Sequence, residues 1–191
     1  AFGEQNEQRL FAVLWRGLII AGVGGALLWV LAPLFWFGLN SAMSWQTDLQ
    51  PSVETYLGIR IWAAPALLFS YVCFGWLVGQ QRTGLVLLLQ AFINLTNIAV
   101  SAWLVLVLDM GVAGVALGSV IASYAGVVLG GLILLRLGII GRSGRSGLEG
   151  IWQRADWLKL FSTNANFFLR SLAFAVAFLV LFKAADWLAQ R

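Results

Sequence analysis

Histidine is absent from the 191-residue sequence, and there is one Cys and only three Pro. With no His and only Cys73, the chain lacks the ligands of a typical zinc site, a disulfide framework and a Cys–His nucleophile. Charged residues make up only 10% of the chain, whereas a soluble domain has about a quarter. Hydrophobic residues make up 61%, more than a core of this size can bury. These proportions exclude a water-soluble enzyme and predict a membrane protein.

Long apolar runs predict five transmembrane helices. A helix needs about 20 apolar residues to cross the hydrocarbon core. Four uncharged runs meet or approach this length, and Arg170 interrupts a fifth; the runs are 17–39, 61–79, 84–108, 112–135 and about 161–182. A transmembrane barrel would show short alternating segments instead. We therefore expect an all-α polytopic membrane protein.

The distribution of Lys and Arg predicts the orientation. Counted on alternate sides of the five helices, nine of the 12 basic residues fall on one side, which the positive-inside rule assigns to the cytoplasm. The other side receives Arg60, Lys183 and Arg191. We expect the N-terminus and the linker after the fourth helix to be cytoplasmic. The net charge of +4 then needs no nucleic-acid partner.

A Gly-rich segment divides the chain. Residues 138–150 carry Gly at every third position without Pro, which is typical of a flexible linker. The segment that follows is amphipathic, with Trp152 and Trp157 among charged residues, and suits a membrane interface. We expect four helices in residues 1–137, a linker over 138–157 and a further helix in 158–191. The odd helix count and the missing initiator Met suggest a piece of a longer protein, with a natural five-helix protein as the alternative.

The third run carries polar residues on one face. Gln90, Asn94, Asn97 and Ser101 recur at helical spacing, within a sector about 60° wide. Polar groups in hydrocarbon need partners. This face therefore lines a wet cavity for a cation or substrate, or it supplies hydrogen bonds between helices, and the spacing fits both equally.

Small residues follow the same spacing in the fourth run, at Ser119, Ser123, Gly126 and Gly130. Small residues let another helix approach closely, so plain packing is favoured there over a functional site. The Gly75-x-x-x-Gly79 motif of the second run has the same ambiguity.

Groups that carry acid–base chemistry are missing from the runs. None of the eight acidic residues falls in the middle of a run, so no proton carrier is visible on this chain. The motifs of zinc proteases, phosphate-binding loops and serine hydrolases are also missing. We expect no enzyme, no metal site and no organic cofactor.

Short motifs follow one another along the chain: Ala1-Phe2-Gly3-x-x-Asn6, Tyr56-Leu57-x-Ile59-Arg60 with Ala64-Pro65, Gly75-x-Leu77-x-Gly79-x-Gln81-Arg82, Asn94-x-x-Asn97-Ile98, Gly111-Val112-x-Gly114-x-Ala116-Leu117, and Asn164-x-x-x-x-Leu169-Arg170-Ser171-Leu172. Their order and spacing, over residues 1 to about 172, resemble the DinF-like branch of the multidrug and toxic compound extrusion (MATE) family. The resemblance implies a bacterial inner-membrane transporter with twelve helices in two lobes. The five runs then resemble helices three to seven, and the Gly-rich linker joins the lobes.

The resemblance also implies a function. Family members are antiporters that work by alternating access, taking up H⁺ or Na⁺ and exporting small amphiphilic or cationic compounds. The missing helices would come from the same protein or from a partner chain in the lipid membrane. In the family's first-lobe cation site, Asn97 matches the Asn and Ser119 matches the hydroxyl. However, Ser101 stands where an Asp is expected, and Ser123 stands where relatives often carry a Glu.

We accordingly predict a lining for cation or substrate formed by Gln90, Asn94, Asn97, Ser101, Ser119 and Ser123. Asn164 and Arg170 are predicted at the lobe interface or in the cavity. Two other functions stay open. A lipid-linked saccharide flippase of the same superfamily often lines its cavity with Arg, and here only Arg170 is expected to do so. A non-transporting membrane scaffold is favoured by the absence of an acid at position 101.

Overall fold

The computed structural model describes residues 2–42, 50–137, 152–158 and 160–162, and the single residues 165, 169, 173, 174 and 177. These residues are helices and short turns, and no strand occurs among them. The helices are α1 (Phe2–Ala42), α2 (Gln50–Arg60), α3 (Ala64–Gly79), α4 (Thr83–Leu106) and α5 (Gly111–Arg136), with a 3-10 turn (Ile61–Ala63) between α2 and α3. The chain divides into two units, residues 1–148 and 149–191.

Four helical segments of the first unit are long and apolar enough to cross a membrane: Leu10–Gly38, Gln50–Gly79, Thr83–Leu106 and Gly111–Arg136. Large apolar side chains lie exposed along them, such as Val30 at 74% and Leu106 at 78%, as expected for surfaces that face lipid. The all-α polytopic prediction is therefore confirmed, with four of the five predicted helices seen. The fifth, 161–182, lies mostly outside the described residues.

The second span is a broken helix that begins earlier than predicted. The sequence predicts a start at Ile61, but α2, the 3-10 turn and α3 together extend the span back to Gln50. The break comes just before Pro65, which lies in the first turn of α3. Because Pro65 has no N–H, it cannot donate to the carbonyl of Ile61 four residues earlier. Ala64 donates to that carbonyl instead, with the tighter spacing of a 3-10 turn.

The other helices hold this break from two sides. The indole Nε1 of Trp29 in α1 donates to the Ile61 carbonyl at 3.1 Å, and the hydroxyl of Tyr124 in α5 donates to the Trp62 carbonyl at 3.1 Å. The rings of Trp29 and Trp62 are in contact, with centroids 5.1 Å apart. Arg60, the last residue of α2, is thereby placed at a fixed point between α1 and α5.

Small residues bring α4 and α5 together as an antiparallel hairpin. A Cβ atom at Gly118 would lie 2.8 Å from the Cα atom of Ser101, and one at Gly126 would lie 2.6 Å from the Ile93 side chain. Gly118 and Gly126 therefore serve close packing, as the spacing of small residues favours. At Gly75 and Gly79, in contrast, an added Cβ would meet no atom of the described residues within 4 Å.

Buried apolar side chains join α1, α3, α4 and α5 at a small core, formed by Leu14, Cys73, Leu89 and Leu134. Near it, the indole Nε1 of Trp76 donates to the Leu10 carbonyl at 3.1 Å. This core and the hairpin fix the relative positions of α3, α4 and α5, which hold the polar residues described next.

Candidate functional site

A cavity of about 260 Å³ lies between the α2–α3 segment, α4 and α5. Five of the six residues predicted to line a cation or substrate site lie on its wall: Gln90, Asn94, Asn97, Ser119 and Ser123. Apolar side chains, among them Phe74 and Ile93, complete the wall. A mixed lining with a few polar groups is typical of sites for small molecules, although this volume lies just below their usual range.

A hydrogen bond between α4 and α5 joins two of the residues that were predicted to line the site. The amide Nδ2 of Asn97 donates to the Ser119 hydroxyl at 2.8 Å. That hydroxyl in turn donates to the Val115 carbonyl of its own helix at 3.1 Å. Because the Ser119 proton and one Asn97 donor are thus engaged, the pair presents the Asn97 Oδ1 atom to other groups as an acceptor.

Two further hydroxyls on the wall are bonded within their own helices. Ser123 donates to the Ser119 carbonyl at 2.7 Å, and Ser70 donates to the Ala66 carbonyl at 2.9 Å. With their protons committed to backbone, these hydroxyls offer only lone pairs to a ligand. The hydroxyl part of the wall is therefore an acceptor surface.

Ser101 does not lie on this cavity, contrary to the prediction for its helix face. Its side chain packs against Gly118, and its Oγ atom is buried without a hydrogen-bond partner among the described residues. The helical spacing correctly groups Ser101 with Asn97. However, the glycine opposite Ser101 lets α5 come so close that no space for a ligand remains at this level.

Arg60 lies on the cavity wall and is the residue that the sequence reasoning missed. The sequence prediction puts Arg60 in the loop just before the second run, 61–79. The structure instead places it inside the candidate span Gln50–Gly79. The expectation that only Arg170 could line a cavity is therefore wrong. A signal was available, because Arg60 stands between Tyr56-Leu57-Gly58-Ile59 and Ile61-Trp62-Ala63-Ala64, which favour extending the helix through it.

The positive charge of Arg60 has no carboxylate beside it on the described part of the cavity wall. Its Nη1 atom is buried and has no hydrogen-bond partner within the described part of the chain. Glu54, the acidic residue on the same helix, is not among the described lining residues, and it accepts a hydrogen bond from Gln50 at 3.0 Å. Residues 50–137 thus place an uncompensated positive charge beside neutral polar groups.

The described residues contain no group of three or more His, Cys, Asp or Glu side chains that could hold a metal ion. The oxygens of Asn97, Ser119 and Ser123 are neutral ligands of the kind that alkali cations accept. Asn164 and Arg170, predicted at the lobe interface or in the cavity, lie outside the described residues.

Comparisons with known proteins give a family match over the first half of the chain. The MatE family model matches residues 1–103. The chain is 34% identical, over 180 residues, to the "DNA damage-inducible protein F" of Escherichia coli strain K12. That alignment covers 93% of this chain but only 39% of the relative, so the chain spans about two fifths of the length of the curated relative it matches. No solved structure gives a significant match.

Proposed function

The chain belongs to the MatE family, and from this membership we propose that it works in a membrane efflux transporter that operates by alternating access. In this proposal the cavity between the α2–α3 segment, α4 and α5 is the part of the transport path that this chain contributes. The observation that carries the proposal is the hydrogen-bonded pair of Asn97 and Ser119 on the wall of that cavity. Polar side chains that border a space between transmembrane helices are suited to binding a ligand, whereas a surface that only contacts lipid is apolar.

Coupling to H⁺ or Na⁺ is part of the same proposal. Among the described residues, the cavity wall holds no carboxylate to carry a proton. Its neutral oxygens at Asn97 and Ser119 are suited to coordinating a cation rather than to binding a proton. We propose that these two residues assist a coupling site whose acidic group lies outside the described residues, in a multi-pass protein of the bacterial inner membrane. We also propose that the N-terminus and the 138–157 linker are cytoplasmic, because most of the basic residues fall on that side of the predicted helices.

Replacing Asn97 with Leu in the complete gene product tests this proposal. Leu is similar in size to Asn, but it lacks both the N–H that donates to Ser119 and the Oδ1 acceptor. In proteoliposomes loaded with a fluorescent organic cation, we expect N97L to lose export driven by a Na⁺ or H⁺ gradient. Ile98→Leu is the matched control, since Ile98 is on the same helix and is 65% exposed, away from the cavity.

Two outcomes of this experiment contradict the proposal. Export by N97L with the same rate and ion dependence as the unmodified protein would remove Asn97 from the coupling site. Absence of export by the unmodified protein, in the presence of either gradient, would favour a non-transporting scaffold instead.

Arg60 favours a second candidate, the flipping of a lipid-linked saccharide. Such a cargo carries a pyrophosphate, and Arg is the side chain that best matches phosphate oxygens. Transfer of a fluorescent lipid-linked saccharide across proteoliposome membranes, in the absence of any ion gradient, would favour the flippase over the antiporter.

A further inference from the structure

We propose that Arg60 binds an oxyanion group, a carboxylate or a phosphate, of a small amphiphilic molecule that occupies the cavity. This names a class of cargo, and it rests on the proposed function only in treating the bound molecule as a transported one. The inference starts from Arg60, which lies on the cavity wall, and from its Nη1 atom, which is buried without a hydrogen-bond partner among the described residues.

A positive charge with an unused N–H group inside a membrane span needs a partner. Arg stays charged and offers five N–H donors in a planar fork, which matches the two oxygens of a carboxylate or phosphate. The cavity wall contributes no acidic side chain, and the hydroxyls of Ser70 and Ser123 donate to backbone carbonyls. A ligand that enters the cavity is thus the partner that the described residues leave room for.

The surroundings of Arg60 indicate the rest of the ligand. Leu67, Tyr71, Phe74 and Ile93 give the wall an apolar and aromatic part. Gln90 and Asn94 add amide groups on α4, whose NH₂ donors can share the oxyanion with Arg60. An oxyanion attached to a compact aromatic or aliphatic body satisfies both the polar and the apolar part of the wall.

The position of Arg60 is also fixed in advance. It immediately precedes the 3-10 turn whose carbonyls, at Ile61 and Trp62, accept hydrogen bonds from Trp29 and Tyr124. Because these bonds hold the backbone beside Arg60, little ordering of the backbone is needed when a ligand binds, and this pre-organisation favours affinity.

Three dansyl probes that differ in charge test the inference: dansylglycine is an anion, dansylamide is neutral and dansylethylenediamine is a cation. Their fluorescence is titrated with the purified complete gene product in a neutral detergent. We expect dansylglycine to bind most tightly, and Arg60→Gln to weaken it by about tenfold or more, since charge-assisted hydrogen bonds are lost. Dansylamide binding should weaken much less than dansylglycine binding in Arg60→Gln, because the neutral probe has no charge for Arg60 to pair with.

Arg82→Gln is the matched control, because it removes the same charge from an exposed residue outside the cavity. It should leave the preference for dansylglycine intact. Equal binding of dansylglycine and dansylamide to the unmodified protein overturns the inference, and so does undiminished dansylglycine binding by Arg60→Gln. If Arg60→Gln binds neither probe, Arg60→Lys decides: a several-fold smaller preference for the anion is expected without the planar fork, and an unchanged preference overturns the assignment.

Competition distinguishes the source of the oxyanion. Displacement of dansylglycine by dihexanoyl phosphatidic acid, and not by inorganic phosphate or benzoate, points to a lipid headgroup. Displacement by benzoate points to a soluble carboxylate. These titrations measure binding and need no transport, so their result is independent of the proposed function. Cation export without anion binding overturns this inference alone. Anion binding without export overturns the proposed transporter function alone.

Discussion

The indole Nε1 of Trp29 donates to the carbonyl oxygen of Ile61 at 3.1 Å, which ties α1 to the break between α2 and α3. Pro65 cannot donate to that carbonyl, which instead accepts from the Ala64 N–H and from Trp29. The bond, with its neighbour from Tyr124 to Trp62, holds the segment that ends in Arg60. A span that is broken but clamped in this way explains how a charged side chain keeps a defined position among apolar helices.

Trp29→Phe should destabilise the first unit by about 1 kcal/mol, because it keeps an aromatic ring beside Trp62 but removes one hydrogen bond. Thermal unfolding can be followed with a thiol-reactive dye, since the chain's single cysteine, Cys73, is fully buried. Cysteines elsewhere in the complete gene product are replaced by Ser for this assay.

Tyr124→Phe is the variant to compare with Trp29→Phe, since it removes only the hydroxyl that donates to the Trp62 carbonyl. Both donors hold the same 3-10 turn, so we expect the double variant to differ from the sum of the single variants by about 0.5 kcal/mol or more. Strict additivity would show that the two bonds act on separate elements.

Gly118→Ala should destabilise the α4–α5 hairpin by about 1–3 kcal/mol, the usual cost of overpacking a well-packed contact. The new Cβ atom would lie 2.8 Å from both the Cα and the backbone N of Ser101, which cannot move without shifting α4. Gly131→Ala is the control on the same helix, because no atom lies within 4 Å of its added Cβ. It should be neutral or stabilising. The same midpoint shift for both variants in the dye assay would contradict a close contact at Gly118.

Ser101→Ala should stabilise the protein by about 1 kcal/mol, in contrast to most substitutions of buried residues. The Ser101 Oγ atom is buried without a hydrogen-bond partner among the described residues, so its removal ends an uncompensated desolvation. We also expect Ser101→Ala to leave transport unchanged, because the residue lies outside the cavity. If Ser101→Ala loses ion-coupled export while its unfolding midpoint rises, Ser101 is part of the coupling site and the prediction is wrong.

Much of the architecture could be predicted from the sequence, because uncharged runs such as 84–108 and 112–135 have few folded alternatives in lipid. The helical spacing of Gln90, Asn94 and Asn97 likewise predicted three residues that share one cavity. Spacing along one helix cannot tell where a neighbour comes closest, and so Ser101 was misplaced. That distance is set by the partner helix, at Gly118.

Arg60 was missed for a related reason. A charged residue next to a proline-containing segment looks like the end of a span when hydropathy alone is considered. The structure continues the span through Arg60 because the 3-10 turn and the donors of Trp29 and Tyr124 satisfy the carbonyls near the break. Those donors come from residues more than 30 and 60 positions away, so no local pattern reveals them.

The pair of Asn97 and Ser119 offers a test that separates packing from function. Asn97→Leu and Ser119→Ala each remove the 2.8 Å hydrogen bond between α4 and α5. Interhelical hydrogen bonds in membranes contribute on average about 0.6 kcal/mol, so the double variant should be less destabilised than the sum by about that amount. This double-mutant cycle is measured by comparing the unfolding midpoints of the unmodified protein, the two single variants and the double variant in the Cys73 dye assay.

Transport by the same three variants then separates two roles for the pair. If Ser119 serves only to hold Asn97, Ser119→Ala should retain part of the ion-coupled export that Asn97→Leu loses, since the Asn97 Oδ1 acceptor remains. If the Ser119 oxygen itself contacts the coupling ion, the two single variants should lose export equally, with a raised ion concentration needed for half-maximal rate. A cycle with no coupling energy, together with full export by Ser119→Ala, would show that the bond between Asn97 and Ser119 has no part in transport.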